Sequence, residues 1–372
     1  MGLELDKSGA CCNTVVTALT ELVDGSPTLK IENPGTMAAL LSPDNLRGVR
    51  LADVQEDGRT IAKIVKYWEN PRSTDEETDG IPDFCTPGST TGQKFGQFLP
   101  NIKKHVKLTL SEKEFRDFCG IASDGNAQNV SGTAFAQEQI QAKINELIRA
   151  YTRGLTIELA TRVGNFTDGD TVKNIPLITP AGGANHVGEV QFIREFEKAE
   201  LRSDNVIAIG DGLVSDYFKL RQYACCSDAG VNASLIREPF RLFRQPGTDS
   251  LIEGNENIIA WSPGSVVPFF RPNFVGPFAH APGESEIVKI NIPVPFNFNG
   301  IAYTVPVDFT VKYIPCPDEG EIDSKWVLTW MLHGGLASLP SDMEPSGSPF
   351  EGVTNIFHFR GICGAAEYCD PD

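Results

Sequence analysis

The chain has 372 residues, of which 41% are hydrophobic and 22% charged, so it can form two or three compact subdomains and is too apolar for wholesale disorder. Its formal net charge is −17, from 32 basic and 49 acidic residues, and repulsion from phosphate argues against nucleic-acid binding as its main activity. The nine cysteines form no CxxC motif and include two adjacent pairs, Cys11–Cys12 and Cys225–Cys226, which indicates reduced thiols in a cytosolic compartment. We expect no secretory signal and no membrane span, because the chain has neither a signal-type N-terminus nor a long apolar run.

The first fifty residues are short apolar pieces interrupted by Pro27, Pro34 and Pro43. Residues 14–23 predict one short helix, but the segment has no clear core of its own. Such a segment frays when it is isolated. We therefore expect residues 1–50 to form an extended arm that lies against something else.

Two segments of alternating apolar and polar residues follow, at residues 59–68 and 103–110, and we expect them to pair as the strands of an extended hairpin. The long connection between them is rich in Pro, Gly, Ser and Thr and includes the acidic run 73–79. Connections of this length usually form binding or reaching elements. The pattern therefore favours a reaching arm, and a surface excursion without function is the alternative.

The most periodic part of the chain is residues 133–164, which predicts a helix on the order of 40 Å long. Glu158 and Arg162 are placed for an i,i+4 ion pair, and Gly164 is a typical C-terminal stop. A helix this long exceeds the usual diameter of a small domain, so it is expected to connect separate parts of the molecule. Its apolar stripe consists of Phe135, Ile140, Ile144, Leu147, Ile148, Tyr151, Leu155, Leu159 and Val163.

A second block of helix, strand and helix follows a passage of short strands and turns at residues 165–187. Its first helix is predicted at residues 189–201 and its second at residues 213–226, on either side of a buried strand at residues 205–209. In the first helix Val190, Ile193, Phe196, Glu197 and Leu201 recur at helical spacing, and in the second Val214, Tyr217, Phe218 and Leu220 are expected to face inward.

From Asn257 onward the pattern is that of β-strands with one buried face. Apolar residues alternate with polar ones most clearly in the strand that contains Phe309 and in the strand that contains Trp330. The predicted strands are residues 258–261, 265–270, 286–293, 302–314, 325–332 and 356–359.

Two glycine motifs invite a catalytic or cofactor interpretation. Gly210-Asp211-Gly212 follows a strand and precedes a helix, but the third glycine of a dinucleotide motif is replaced by Ser215, so a tight turn is favoured. His333-Gly334-Gly335 is similar to the oxyanion loop of esterases, yet the chain has no GxSxG nucleophile motif. We expect this second motif to be the turn that ends the strand 325–332.

Other candidate groups are weaker. His358, Cys363 and Cys369 have spacings that fit no standard zinc site, and structural thiols are favoured. Asp308 and the acidic residues of segment 319–323 are expected to be solvated or interface charges. We therefore predict no catalytic, cofactor-binding or metal-binding residues, and no cofactor.

The order of these parts resembles the major capsid proteins of tailed bacteriophages, which have the Hong Kong 97 fold. The resemblance covers nearly the whole chain as architecture, and four phrases carry it most directly: RVGNFTDG at 162–169, VIAIGDGLVSDYFKL at 206–220, ACCSDAG at 224–230 and WSPGSVVPF at 261–269. It implies an α+β fold with an N-terminal arm, an extended β-hairpin loop, a long spine helix, and peripheral and axial domains. The boundaries that it implies are 1–50 for the arm, 51–110 for the extended loop, 111–188 for the peripheral domain with spine helix 133–164, 189–306 for the axial domain, and 307–372 for the return to the peripheral domain and the tail.

The resemblance also implies a function. Many copies of the chain would assemble through pentamers and hexamers into an icosahedral head shell around a double-stranded DNA genome, with portal, scaffolding and decoration proteins as further partners. DNA would lie near the shell without specific binding, no membrane would be involved, and the protein would reside in the virion after assembly in the host bacterial cytoplasm. The shell protein of a cellular nanocompartment and an α/β enzyme are the alternatives.

Overall fold

In a computed structural model, the chain is described over sixteen stretches, and several predicted features lie outside them. Those features are the helices at 14–23 and 213–226, the acidic segments 73–79 and 319–323, the paired cysteines, and Cys369. The described residues are 35–46, 49–52, 62–67, 93–98, 101–111, 114, 130–179, 183, 185–199, 201, 205–212, 240–272, 286–298, 301–314, 325–338 and 355–363.

The described residues form an α+β fold, as the sequence predicts. The helices are α1 Gly35–Leu41, α2 Pro43–Leu46, α3 Val130–Ala160, α4 His186–Lys198 and α5 Thr248–Leu251. The strands are β1 Val49–Ala52, β2 Ala62–Tyr67, β3 Gln93–Phe98, β4 Ile102–Ser111, β5 Lys173–Ile178, β6 Val206–Gly210, β7 Phe240–Arg244, β8 Asn257–Trp261, β9 Val266–Phe270, β10 Glu286–Phe298, β11 Ile301–Ile314, β12 Lys325–Ser338 and β13 Ile356–Cys363.

The chain is divided into two compact units. Unit 1 takes in Met1–Pro34, Pro100–Tyr151 and Phe270–Gly334, and unit 2 takes in Gly35–Leu99, Thr152–Phe269 and Gly335–Asp372. Because each unit is assembled from distant segments, neither corresponds to one continuous stretch of sequence.

Unit 1 is built on an antiparallel sheet in the order β10-β11-β12-β4. Its buried face carries aromatic pairs between neighbouring strands, such as Phe309 with Trp330 at 5.2 Å and Tyr313 with Trp326 at 4.9 Å between ring centroids. Val305, Val307 and Val311 extend the same buried face, as the alternating pattern predicts.

The strand pairing predicted around the extended hairpin is wrong. Strand β2 pairs with β1 and β3, whereas β4, which contains residues 103–110, pairs with β12 over ten positions from Lys325↔Ser111 to Gly334↔Ile102. The reason is packing, because this register places Val106 opposite Trp330 and Leu110 opposite Trp326. The apolar side of β4 thereby joins a core that a two-stranded hairpin does not possess.

Helix α3 matches the predicted long helix, with 31 residues, and its described stripe from Ile140 to Leu159 is buried. It starts three residues before the predicted position and ends four residues before Gly164. The early end has a physical cause: the N–H groups of Arg162 and Val163 bond three residues back, and Gly164 N–H donates to Ile356 O on β13 at 3.1 Å. The predicted pair is present, since Arg162 donates to Glu158 at 2.6 Å.

Unit 2 contains a mixed sheet in the order β5-β13-β8-β6-β7. Strand β13 runs parallel to β5 and antiparallel to β8, so the C-terminal strand lies inside the sheet. Phe357 stacks on Phe166 at 4.8 Å, and Phe359 contacts Phe192 of α4 at 4.6 Å. These rings lie in a buried cluster that also includes Ile175, Leu177, Phe196, Ala199, Val206, Ala208, Ile258 and Ala260.

The face of α4 that packs on the sheet does not include Val190, one of the residues at helical spacing. Val190 is 66% exposed and Val187 is 60% exposed, whereas Phe192 and Phe196 are buried. The rotation follows from Gly188, where an added Cβ would lie 2.1 Å from Pro176 O on β5. Only glycine permits this approach, so the face that carries Gly188, Phe192 and Phe196 turns toward the sheet.

The end of the predicted N-terminal arm is packed into unit 2, as expected of a segment without its own core. Thr36 N–H donates to Gln245 Oε1 at 3.0 Å, and the hydroxyls of Thr36 and Thr156 lie 2.8 Å apart. An added Cβ on Gly35 would lie 2.0 Å from Arg244 O. Helix α1 is therefore held against β7 and the last part of α3 by buried polar contacts.

Asn45 of α2 is the most completely bonded side chain in this region, and it is fully buried. Its Nδ2 donates to Leu40 O and Val266 O, each at 2.7 Å. Its Oδ1 accepts from Trp261 Nε1 at 2.9 Å and from Gly264 N at 3.3 Å. One amide thus connects α1, α2, β8 and β9 immediately before the chain enters β1.

Replacing this amide tests its contribution. Asn45→Leu keeps the approximate volume but leaves buried N–H and C=O groups without partners, so the free energy of unfolding should fall by about 3 kcal/mol. Urea unfolding of the unassembled protein measures this. Asn101→Leu, at an exposed position, is the matched control and should change stability by less than ~0.5 kcal/mol. Equal urea midpoints for Asn45→Leu and the parent would contradict the role assigned to Asn45.

Candidate functional site

Gly210, Asp211 and Gly212 form a structural turn, and the residues that follow Gly212 in the motif lie outside the described ranges. Asp211 Oδ2 accepts a hydrogen bond from Gly247 N at 2.6 Å, and Gly212 has a left-handed φ of 54°. The aspartate therefore fixes the loop that precedes α5. This structural role accounts for an aspartate at position 211 without a bound nucleotide.

The prediction that His333-Gly334-Gly335 ends a strand is wrong, because β12 continues to Ser338. His333 pairs with Lys103 of β4 in register, and its carbonyl accepts from Arg271 N at 2.8 Å. The two glycines are buried within a paired strand, so their N–H groups do not form an oxyanion loop.

His358 is held by protein groups. Asn257 Nδ2 donates to Gly254 O at 2.7 Å and to Asp249 Oδ1 at 3.1 Å, which leaves Asn257 Oδ1 as an acceptor for His358 Nε2–H at 2.7 Å. Burial, and then the charge of Arg360, lower the pKa of His358. Within the described ranges, no three His, Cys, Asp or Glu side chains come together as a metal site.

Asp308, predicted to be a solvated or interface charge, is only 2% exposed. It lies directly opposite Asn291 in the β10–β11 register and accepts a hydrogen bond from Asn291 Nδ2 at 2.9 Å. The interpretation of this residue as a wet surface charge is therefore wrong.

A small group of charges joins β5 to α4. The Lys173 ammonium is 14% exposed and pairs with Asp168 and with Glu195, the latter at 2.5 Å, while Lys198 pairs with Glu195 at 2.6 Å. Its Nζ also lies 4.8 Å from the centroid of the Phe166 ring. The ion pair between Lys173 and Glu195 therefore holds α4 against β5.

The electrostatics of this group favour fixed charges. Burial acts to lower the pKa of Lys173, but its hydrogen bonds to Asp168 and Glu195 outweigh that effect and raise the pKa. The hydrogen bond from Lys173 lowers the pKa of Asp168. Both partners therefore stay ionised near neutral pH, which suits structural pairing better than proton transfer.

The clearest candidate for a functional element is the sheet β1-β2-β3. Strand β2 pairs antiparallel with β1 from Val49↔Lys66 to Ala52↔Lys63 and with β3 from Ala62↔Phe98 to Tyr67↔Gln93. Within the part of the chain that the structure describes, these strands pair only with one another. Among the described residues, the outer edges of β1 and β3 therefore have no strand partner, and such edges can pair with a strand of another chain.

A second candidate surface is the polar side of β4, where Lys103, His105 and Lys107 are exposed; we refer to these three residues as the basic strip. Strand β4 is the last strand in the sheet order of unit 1, so the strip lies along the margin of that sheet. Sequence analysis predicted that His105 and Lys107 alternate with the apolar residues of this strand. It assigned no function to them, since the position of β4 in the sheet was not predicted.

Comparisons with known proteins give three-dimensional matches only. No protein-family model matches the chain, and no curated protein matches it. The chain is similar to the head structure of Helicobacter pylori bacteriophage KHP40 at 8% identity and a TM-score of 0.45, covering 91% of this chain and 93% of that chain. It is also similar to the acidic stable capsid structure of Helicobacter pylori bacteriophage KHP30 at 8% identity and a TM-score of 0.43, covering 90% and 94%. A third match, at 12% identity and a TM-score of 0.36, is the capsid of Myoviridae phage XM1, with 89% of each chain covered.

Protonation of His358 should make stability depend on pH. The pKa of His358 is lower in the folded protein than its ordinary value of 6.5, so the unfolded chain takes up the proton first as pH falls. The contribution of the neutral His358 ring to the free energy of unfolding is fully present above about pH 6.5. This contribution is lost as the pH falls through the pKa that His358 has in the folded protein. His358→Gln should therefore lose less unfolding free energy than the parent between pH 7 and pH 5 in urea titrations.

The exposed His105 provides the control, because His105→Gln also removes one histidine but leaves the Asn257 contact intact. An unchanged pH slope in His358→Gln would contradict the assignment to His358.

Proposed function

We propose that this protein is the major capsid protein of a tailed bacteriophage, which assembles through pentamers and hexamers into an icosahedral shell around double-stranded DNA. The observation that carries the proposal is the sheet β1-β2-β3, whose described strands pair only with one another directly after the buried Asn45 cluster. The Asn45 contacts fix the chain before β1, and the described edges of the sheet that follows have no strand partner. A sheet of this kind is suited to pair with a strand of another subunit.

Shell assembly needs several contacts per subunit, and the described chain offers separate surfaces for them. The unpaired edges of β1 and β3 are one type, and the exposed basic strip on β4 is another. Contacts between different patches of identical chains are heterologous, and such contacts close into rings when the rotation between subunits allows it. Pentamers and hexamers are rings of this kind.

The parts of the proposed capsid fold follow the resemblance found in the sequence. Residues 1–50 would be the N-terminal arm, 51–110 the extended loop, 111–188 the peripheral domain, 189–306 the axial domain, and 307–372 the return to the peripheral domain and the tail. Helix α3, at 31 residues, supports the spine-helix assignment by its length and its buried stripe.

The overall charge supports a role beside packaged DNA without specific binding. A net charge of −17 would keep DNA from adhering to the inner wall. Portal, scaffolding and decoration proteins are the further partners that we propose, with the virion as the final location and the host bacterial cytoplasm as the place of assembly. No helix in the described ranges has the length and hydropathy required to cross a bilayer.

Deletion of residues 73–92 tests the proposal. The variant should keep the unfolding midpoint of the parent, because the deleted residues lie between β2 and β3, but it should form no regular particles. Negative-stain microscopy and sedimentation velocity of both proteins measure this, and Arg194→Ala on the exposed side of α4 is a control that should assemble. Normal particles from the deletion variant would contradict the extended-loop assignment. A parent protein that remains a monomer under all assembly conditions would contradict the capsid function.

A further inference from the structure

Strand β10 is an edge strand of the unit 1 sheet. Within the described ranges it pairs only with β11, so the edge of β10 that faces away from β11 has no strand partner among the described residues. Its apolar side chains Ile292, Val294 and Phe296 are buried, which fixes β10 in the sheet. A long edge strand presents its backbone N–H and C=O groups as a template for a strand of another chain.

The sequence of this edge lacks the charges that commonly prevent such pairing. From Ile290 to Val307 the chain contains no Asp, Glu, Lys, Arg or His, and it is rich in Val, Ile and Phe. Uncharged segments of this composition pair readily between chains. The strand at the other end of the sheet order, β4, differs because it carries Lys103, Lys104 and Lys107. The edge of β10 therefore needs protection of another kind.

Two prolines provide this protection, and the strand register shows where they act. Pro293 lies opposite Pro306 of β11, and Pro295 lies opposite Thr304. Two facing prolines have no N–H to exchange, so the hydrogen-bonded pairs of this ladder are those on either side of them. Residues of the other pairs direct their backbone groups away from the partner strand. Pro293 and Pro295 thus occupy two successive positions whose N–H groups would point out of the sheet.

Pro306 shows what a missing N–H does within the same sheet. The ladder between β11 and β12 ends at Asp308↔Met331, and its continuation would place Pro306 opposite His333. The carbonyl of His333 instead accepts a hydrogen bond from Arg271 N at 2.8 Å. Strand pairing therefore ends at the position that has no N–H, and the carbonyl left over bonds a different segment.

We propose that Pro293 and Pro295 determine the specificity of assembly by closing the edge of β10 against the same edge of a second copy of this chain. With an N–H at both positions, two β10 strands would pair antiparallel and join two unit 1 sheets into one. The proposal rests on the proposed function, because shell assembly brings many copies of the chain together. It deepens that function by naming residues that exclude a wrong contact, which specific association requires in addition to favourable contacts.

Restoring the two N–H groups tests the proposal. In Pro293→Thr with Pro295→Thr, which we call the open-edge variant, both positions regain a donor, and threonine favours strands without adding apolar surface. Both side chains lie on the side of β10 opposite its buried residues, so the urea midpoint should stay that of the parent. Sedimentation equilibrium of the unassembled full-length proteins should show self-association at least about tenfold tighter for the variant.

A single substitution keeps the test valid if the double variant does not fold. Pro293 is exposed, so Pro293→Thr alone should leave the fold unchanged. It restores one outward N–H per chain and should self-associate more tightly than the parent but less tightly than the open-edge variant.

Two control variants separate the restored N–H groups from other effects of removing proline. Pro306→Thr makes the same substitution directly opposite Pro293, but its N–H lies on the β12 side of β11 and not at the free edge of β10. Pro293→Lys with Pro295→Lys restores both outward N–H groups and adds charges that repel each other when two such edges meet. Both controls should self-associate no more tightly than the parent.

Hydrogen exchange locates the contact. In the open-edge variant, the amides of residues 293 and 295 point away from β11 and can be protected only by a second copy. They should therefore exchange at least about tenfold more slowly at a protein concentration at which the variant is associated than after dilution. Exchange at the same rate at both concentrations would show that the association does not use this edge and would overturn the proposal.

The remaining outcomes separate the closed edge from the capsid function. Equal self-association of the parent and the open-edge variant, or of the open-edge variant and either control, contradicts the closed edge. If the parent forms no particles under any assembly condition but the open-edge variant pairs through β10, the capsid function fails and the closed edge stands. If both proteins form regular particles in equal yield and the unassembled variant does not self-associate, the capsid function stands and the closed edge fails.

Discussion

The structure depends on one buried amide, the side chain of Asn45. A buried amide is costly unless its donors and acceptor are bonded, and here two donors and two acceptor positions are used at distances from 2.7 to 3.3 Å. One partner, Leu40, is 5 residues from Asn45, whereas Trp261, Gly264 and Val266 are 216, 219 and 221 residues from it along the chain. The amide therefore fixes the position of α2 immediately before the chain forms β1, and a segment that reaches toward another subunit needs such a fixed origin.

Inside unit 2, polar and charged contacts hold distant elements in a particular arrangement. Lys173 joins β5 to α4 through Glu195, and the hydroxyl pair of Thr36 and Thr156 joins α1 to α3. Along β4, by contrast, Lys103 and Lys107 are exposed and have no ion pair within the described ranges. Charges that are internally bonded organise the subunit, whereas an exposed and regularly spaced set remains able to bind a partner.

The roles of the short motifs could be assigned only from the residues that contact them in the folded chain. Gly210-Asp211-Gly212 begins at the end of a buried strand, and its aspartate bonds Gly247 N. His333-Gly334-Gly335 lies within a paired strand, and His358 bonds an asparagine that is itself held by Asp249 and Gly254. Each motif suggested chemistry because of its residue types, and in each case the groups that contact it come from elsewhere in the chain.

The sequence by itself determined the local conformations: the buried stripe of α3 and the alternating faces of β4, β11 and β12. Periodicity reports such features because a side chain's direction depends only on the local backbone. The tertiary structure decided the partner of β4, the rotation of α4 around Gly188, and the burial of Asp308. These depend on which distant apolar faces bury one another and on how closely two backbones approach, and no local pattern encodes either.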